Sequence, residues 1–335
     1  MANLLETLLA ERDWLLADGA TGTNLFAMGL ESGEAPELWN EAEPGKVRAL
    51  YDGAIGAGSD LFLTNSFGGN ASRLALHAAA DRVHELNRTA AAIAREAADA
   101  AGRPVVVAGS MGPTGEIMAP LGPLGVDAAA DIFEAQARGL LAGGVDLLWV
   151  ETISSAEEFE AAAAGIARTG APWCGTMSFD TNGRTMMGLT AADMVALVGR
   201  LPHPPLAFGA NCGVGASDLL RTVLGFAAAR PSLPVIAKGN AGIPKFKDGH
   251  IHYDGTPELM ADYAVLARDC GARIIGGCCG TTPAHLAAMR AALESTPRGP
   301  APDLDTIARR LGAFSSASDG SEGAPAGRER RRRRS

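Results

Sequence analysis

The stretch DLLWVETI, Asp146–Ile153, contains four consecutive apolar residues followed by a glutamate. A strand that is apolar on both faces is typical of a parallel sheet that other elements cover on both sides. Glu151 comes directly after the apolar run, at the carboxyl end of the predicted strand. The stretch therefore predicts a buried parallel strand that ends in a charged residue.

Seven further runs share this pattern, and each is followed by a turn and an alanine-rich helical stretch. They are WLLADG from Trp14, DLFLTNS from Asp60, PVVVAGS from Pro104, PWCGTMSF from Pro172, LAFGANC from Leu206, PVIAKGN from Pro234 and ARIIGGCC from Ala272. Eight strand–helix units predict the α/β class and a (β/α)8 TIM barrel. The competing fold is a doubly wound sheet, whose phosphate fingerprint GxGxxG would follow the first strand. The sequence DGATGT stands there instead.

The two ends of the chain differ in composition from the predicted barrel. We expect a single barrel domain over residues 1–296, beginning with an amphipathic helix in MANLLETLLAERDW that is not a signal peptide. Residues 297–335 are rich in Pro, Ser, Gly and charge, and we expect them to be mostly disordered apart from a weak helical stretch at Leu304–Phe314. The terminus AGRERRRRRS holds six arginines. It is interpreted as a solvated tail or, alternatively, as a contact for an anionic partner.

Composition excludes several classes of function. The net charge is −9, which argues against a general role at nucleic acids or membrane surfaces, because these polyanions would repel the chain. No uncharged apolar stretch reaches the roughly 18 residues of a membrane span. We therefore expect a cytoplasmic protein. Five cysteines are an odd number, and clustered cysteines in a reducing compartment indicate a metal or catalysis more often than disulfides.

Three of the five cysteines fall at the ends of predicted strands. Cys212 ends the sixth strand, and Cys278 and Cys279 end the eighth, so all three should reach the catalytic rim of a barrel. Three thiolates with one open position form a catalytic arrangement for Zn²⁺. The alternatives are small core residues or a strained vicinal disulfide. Cys174 and Cys270 lie inside a strand and at a helix end, where we expect them to pack.

A zinc ion held by three thiolates favours a particular chemistry. Its net single negative charge makes it a poor Lewis acid, but it can bind a fourth thiol, remove the proton and keep the sulfur electron-rich. The expected reaction is attack of that thiolate on an electrophilic carbon, most simply a methyl group. A zinc hydrolase would require His or carboxylate ligands and a base. A zinc- or redox-sensing protein without catalysis is the other alternative.

Seven motifs together resemble a known family, the zinc-dependent homocysteine S-methyltransferases. They are DGATGT, FLTNSFGGNASRL, GSMGPTG, GVDLLWVETI, GANCGVG, GNAGIP and IGGCCGTTPAH, in the family's order over about residues 12–292. The resemblance implies a (β/α)8 barrel with Zn²⁺ bound by Cys212, Cys278 and Cys279. It also implies that homocysteine thiolate is the fourth ligand and that methionine is the product.

The resemblance further implies the contacts of the substrate amino acid. Asp18 and Glu151 correspond to residues that hold the amino group, and the carboxylate is received by backbone amides at Gly19, Ala20 and Thr21. A glutamate after so apolar a strand is costly without a partner, which agrees with this assignment. Asn240 has two interpretations of equal weight, a weak zinc ligand when no thiol is present or a residue that fixes the GNAGIP turn.

The methyl donor stays open between betaine, S-methylmethionine and methylcobalamin. A quaternary ammonium donor requires an aromatic cage. The betaine enzymes of animals have tyrosines where this chain has Gly68 and Thr152, although Trp39, Phe67 and Phe179 could partly replace them. DGATGT and GPTG are more similar to the homocysteine module of cobalamin-dependent methionine synthase. We expect no room for its other modules in a chain of this length, so this donor would require a separate corrinoid protein. Betaine and methylcobalamin rank nearly equally as donors, ahead of S-methylmethionine.

Overall fold

Parallel strands arranged in a nearly closed barrel form the centre of the computed structural model, which describes residues 3–242, 245–247 and 250–320. The strands of the described residues are β1 (Leu15–Leu16), β2 (Leu61–Leu63), β3 (Val106–Met111), β4 (Leu147–Ile153), β5 (Trp173–Met177), β6 (Ala207–Cys212), β7 (Val235–Gly239), β8 (Lys245–Lys247), β9 (His250–His252) and β10 (Ala272–Gly277). All except β8 and β9 belong to the barrel, and those two pair as an antiparallel hairpin.

Helices follow the barrel strands and surround them. They are α1 (Leu4–Glu11), α2 (Gly22–Ala27), α3 (Trp39–Ala42), α4 (Pro44–Gly56), α5 (Ala71–Ala75), α6 (Val83–Asp99), α7 (Val126–Ala142), α8 (Ala156–Ala167), α9 (Ala191–Gly199), α10 (Ala216–Ala228), α11 (Pro257–Asp269), α12 (Pro283–Ser295) and α13 (Leu304–Leu311), with short 3-10 helices at Pro36–Leu38 and Ala80–Arg82. Strand order is β1-β10-β7-β6-β5-β4-β3-β2, so the last barrel strand lies beside the first. The predicted (β/α)8 barrel is confirmed, and the doubly wound alternative is excluded.

The seam between β1 and β2 is closed partly by carboxylates. The backbone N–H of Asp60 donates to Leu16 O at 2.7 Å, and the N–H of Leu16 donates to Asp60 Oδ2 at 2.9 Å. At the other end of the seam, the N–H of Leu63 donates to Asp18 Oδ2 at 2.8 Å. Since β1 is only two residues long, these side chains supply partners that a longer ladder would otherwise provide.

The barrel interior is a packed apolar core that the first helix covers at the amino ends of the strands. Leu5 and Leu8 of α1 belong to the same buried cluster as Leu15, Leu61 and other inward-facing strand residues. The predicted amphipathic helix at the start of the chain is thus present, and its apolar face is buried. The opposite end of the barrel, where the carboxyl ends of the strands lie, is the end that carries functional side chains in this fold.

The segment after the barrel contains the weak helix expected from the sequence. Helix α13 packs against α10 and α11, and its Ile307 is fully buried. Further along, an Arg221 guanidinium N–H donates to Ser316 O at 2.7 Å. The terminal arginine run lies outside the described residues, so its predicted disorder stays a prediction. None of the helices in the described ranges has the length and apolarity to cross a membrane.

Candidate metal centre and substrate site

The three cysteines at the strand ends come together in the structure. Their sulfur atoms all lie within 4.8 Å of one another, and Cys212 Sγ is 4.0 Å from Cys279 Sγ. Two thiolates on a tetrahedral zinc ion are expected about 3.8 Å apart, because each Zn–S bond is about 2.3 Å. All three thiols are free, so Cys278 and Cys279 do not form the vicinal disulfide. The donor set and its spacing fit a metal ion bound by three sulfurs.

Backbone conformation aims these sulfurs at one point. Cys212 has a φ of +62°, which non-glycine residues rarely adopt, and Gly213 follows with +74°. Gly277 and Gly280 flank the other pair, and a Cβ at Gly277 would lie 2.3 Å from Thr281 Oγ1. Glycine therefore allows the chain to turn at the end of β10, as the GGCCG spacing predicted. Outside the strand, consecutive cysteines are not forced onto opposite faces.

Two asparagine amides donate hydrogen bonds to the sulfurs. Asn211 Nδ2 lies 3.8 Å from Cys278 Sγ, and Asn240 Nδ2 lies 3.7 Å from Cys212 Sγ. Asn240 Nδ2 also donates to Gly213 O at 2.8 Å, which fits its interpretation as a residue that fixes a turn. Asn240 Oδ1 is buried without a hydrogen-bond partner. This unpaired acceptor at the cysteine cluster is a second feature that fits a bound cation.

The thiols hold their protons tightly in the absence of a metal. A hydrogen bond with Cys278 lowers the pKa of Cys212, but the bond with Cys279 and burial outweigh it and raise that pKa to about 12. A hydrogen bond with Cys212 lowers the pKa of Cys279, but the bond with Cys278 and burial outweigh it and raise that pKa to about 12. A metal ion that binds here must therefore displace protons.

Tyr253 contacts the cysteine cluster and was not found by sequence reasoning. Its hydroxyl lies near enough to the Cys279 thiol to lower the pKa of that thiol, and a Cβ at Gly280 would lie 2.5 Å from Tyr253 Cβ. Tyr253 directly follows β9, so the hairpin of β8 and β9 returns the chain to the rim. No residue pattern around Tyr253 indicates that return, and the sequence offered no signal for it.

The second part of the site is a group of buried charges next to the cysteines. Glu151 is 9% exposed, and its Oε1 accepts a hydrogen bond from Ser110 Oγ at 2.6 Å. Burial raises the pKa of Glu151, while the nearby Lys238 ammonium lowers it by less. Lys238 Nζ lies 2.7 Å from Asp18 Oδ1, and both side chains are buried. Sequence reasoning missed Lys238, although a lysine inside the apolar run PVIAKGN is itself a signal.

The residues after β1 lie beside these charges. Gly19, Ala20 and Thr21 line a cavity together with Asp18 and Asn24. The N–H of Ala20 already donates to Thr281 O at 3.2 Å. The N–H of Ala20 is therefore already used by a contact within the chain, unlike a donor that is left for a ligand.

The aromatic residues considered for a donor cage are dispersed. Lys46 Nζ lies 4.4 Å from the centroid of the Trp39 ring, so one cation already covers this side chain. Phe179 packs edge-on against Phe226, with ring centroids 5.6 Å apart, in the layer outside the barrel. Beside Gly68 lies the carboxylate of Glu37, which accepts the Gly68 N–H at 2.6 Å. Three aromatic residues could stand in for the tyrosines of the betaine enzymes. Of these, Trp39 and Phe179 are buried and only Phe67 is partly exposed.

Comparison with known proteins identifies the family. Residues 15–293 match the sequence model of the homocysteine S-methyltransferases. The chain belongs to this family. It is therefore a methyltransferase enzyme, and the fold and family expected from the motifs are both confirmed.

Relatives of this chain include much longer proteins. It is 32% identical to methionine synthase of Mycobacterium tuberculosis over 302 residues, which cover 85% of this chain and 25% of that protein. The methionine synthase of Mycobacterium leprae is 31% identical, over 90% of this chain and 26% of that protein. The chain thus spans about a quarter of the length of these relatives.

A solved structure matches over nearly its whole length. The metallated form of the homocysteine methyltransferase MmuM from Escherichia coli superimposes with a TM-score of 0.72 at 28% identity, covering 86% of this chain and 99% of that one. The oxidized form of the same protein gives a TM-score of 0.71. The resemblance therefore extends from the sequence motifs to the arrangement of the whole barrel.

Proposed function

We propose that this methyltransferase binds Zn²⁺ through Cys212, Cys278 and Cys279 and transfers a methyl group to homocysteine to give methionine. The observation that carries the proposal is the convergence of three sulfurs within 4.8 Å. No fourth His, Cys, Asp or Glu of the described residues joins the group. Three protein ligands leave one position for a substrate, which is the arrangement of a catalytic site and not of a structural one.

The residues of this chain would prepare homocysteine for the reaction. Bound zinc would lower the pKa of the substrate thiol, so that the thiolate is present at neutral pH. Glu151 and Asp18 would offer the negative charge for the substrate ammonium, and the amides of Gly19 and Thr21 would receive its carboxylate. Held at both ends, the substrate presents its sulfur to the cysteines, and positioning of this kind accounts for a large part of enzymatic rate enhancement.

The donor is betaine, S-methylmethionine, or methylcobalamin on a separate corrinoid protein. Similarity to methionine synthases supports the corrinoid partner. Two aromatic side chains near the rim, Phe67 and Tyr253, support a cationic donor, because a methylated cation binds to ring faces. Free cysteines, as found here, fit a reducing cytoplasm.

The test uses purified protein of known metal content. Homocysteine is supplied with betaine, S-methylmethionine or a methylated corrinoid protein in turn, and methionine is measured. We expect one donor to support turnover, with loss of activity on chelation and recovery with zinc. A protein that binds no zinc, or that forms no methionine with any donor, would contradict the proposal. Zinc coordination that is unchanged by homocysteine would favour the sensor alternative.

A further inference from the structure

Three buried charged side chains lie at the carboxyl end of the barrel interior. Glu151 follows Trp149 by two residues, and Lys238 follows Ile236 by two. Trp149 and Ile236 belong to the interior cluster, and residues two apart on a strand share a face. Glu151 and Lys238 therefore both point into the barrel, where Lys238 Nζ pairs with Asp18 Oδ1 at 2.7 Å.

The two carboxylates differ in how their oxygens are used. Asp18 Oδ1 accepts from the Lys238 ammonium, and Oδ2 accepts the N–H of Leu63 at 2.8 Å. Glu151 Oε1 accepts a hydrogen bond from Ser110 Oγ. The Lys238 ammonium affects Glu151 through its charge, without a hydrogen bond between them. Asp18 is thus already held on both oxygens and neutralised by a fixed cation. Glu151 has no cation bound directly to its carboxyl group and is the carboxyl group left for another partner.

We infer that Lys238 is a positioning residue that neutralises Asp18 and thereby makes Glu151 the acceptor of the homocysteine ammonium. The inference rests on the proposed function and specifies which carboxylate of that site binds the substrate. Two carboxylates and one lysine leave a single negative charge, and one substrate ammonium balances it. An ammonium that approached Asp18 instead would meet the Lys238 cation on the same carboxylate, which is unfavourable at a buried site.

If Lys238 acts in this way, replacing Asp18 affects homocysteine binding differently from the loss of a direct contact between Asp18 and the substrate. In Asp18→Asn the neutral amide can still accept the Leu63 N–H, but Lys238 loses its partner. The freed lysine then pairs with Glu151, the nearest remaining carboxylate, and repels the substrate ammonium. Adding Lys238→Met removes this competitor. The double variant D18N/K238M should therefore bind homocysteine more tightly than D18N alone.

The experiment measures binding by calorimetry on the zinc-loaded full-length protein. The probes are homocysteine and 4-sulfanylbutanoate, which has the same thiol and carboxylate but no amino group. We expect D18N to lower the affinity for homocysteine by at least about tenfold. Adding K238M to D18N should raise that affinity again by at least about tenfold. Binding of 4-sulfanylbutanoate should change little across these proteins, because it lacks the group that Lys238 repels. Glu151→Gln should remove the preference for homocysteine over 4-sulfanylbutanoate.

The outcomes separate the inference from the proposed function. If K238M gives D18N no recovery, or if D18N/K238M no longer prefers homocysteine over 4-sulfanylbutanoate, then Asp18 binds the ammonium itself and the inference is wrong. The preference of the double variant decides the question even if D18N alone fails to fold, because removing both charges leaves no unpaired ion in the interior. A wild-type protein that binds neither thiol would overturn the proposed function and the inference together.

Discussion

Asn211 and Thr152 hold each other through two hydrogen bonds across the barrel strands. The Thr152 N–H donates to Asn211 Oδ1 at 2.9 Å, and Asn211 Nδ2 donates to Thr152 Oγ1 at 2.8 Å. Thr152 has a φ of +65°, a strained value for a β-branched residue. The same Nδ2 lies 3.8 Å from Cys278 Sγ. One amide therefore links the end of β4, next to Glu151, with the cysteine cluster.

The first prediction concerns this amide. Replacing Asn211 with alanine should weaken zinc binding by about ten- to hundredfold, the usual effect of removing a group that orients metal ligands. Zinc affinity is measured by competition with a chromophoric chelator. Asn87→Ala is the matched control, because Asn87 is also a buried asparagine but donates to Gly69 O and Val83 O, away from the cysteines. Equal zinc affinity in wild type and Asn211→Ala would contradict the prediction.

The second prediction separates the two kinds of cysteine. Cys279→Ala should bind much less zinc than one ion per chain and lose methyl transfer, because only two sulfurs remain. Cys270→Ala should keep full zinc content, since Cys270 is buried at the end of α11 and belongs to the outer core cluster. Metal content by elemental analysis and methionine formation provide the comparison. Full zinc content in Cys279→Ala would remove this residue from the site.

The barrel and the cysteine cluster could be predicted because both depend on position along single strands. Continuous apolar runs specified buried strands, and parallel strands place their ends at one rim, so Cys212 and the pair at 278–279 had to be near one another. The pairing of Lys238 with Asp18 could not be predicted in the same way. It joins residues 220 positions apart, and no local pattern specifies which interior charges meet.

Loop-borne residues were harder to predict for a related reason. Trp39 was considered for a donor cage, but its ring is covered by Lys46 from the start of α4. Tyr253 was overlooked, although it reaches Cys279. Apolar periodicity places a residue on a strand or helix face, but the path of a long loop depends on packing between distant segments. The substrate contacts are for this reason less predictable than the metal site.

The third prediction tests how the barrel closes. Asp60 is 1% exposed and accepts hydrogen bonds from Leu16 N–H and from the guanidinium groups of Arg12 and Arg290. Asp60→Asn removes the buried negative charge from these arginines and should cost about 3 kcal/mol of unfolding free energy. Urea denaturation measures the difference. The exposed Asp52→Asn, which removes only a surface ion pair with Arg48, should cost less than about 1 kcal/mol. Similar costs for the two variants would contradict a closing role for Asp60.

The fourth prediction follows from a buried carboxyl in α8. Glu158 Oε1 accepts the N–H and hydroxyl of Thr114 at 2.8 and 2.7 Å, and burial raises the pKa of Glu158 above 4.5 by more than these bonds lower it. A raised pKa stabilises the folded state below the ordinary pKa, and this contribution is lost as pH rises through the folded-state value. Glutamine keeps the acceptor and cannot ionise. The free energy of unfolding of Glu158→Gln, measured by urea denaturation, should therefore increase relative to that of wild type as pH rises above the ordinary pKa of a glutamate. A difference in stability between Glu158→Gln and wild type that narrows with rising pH would refute the argument.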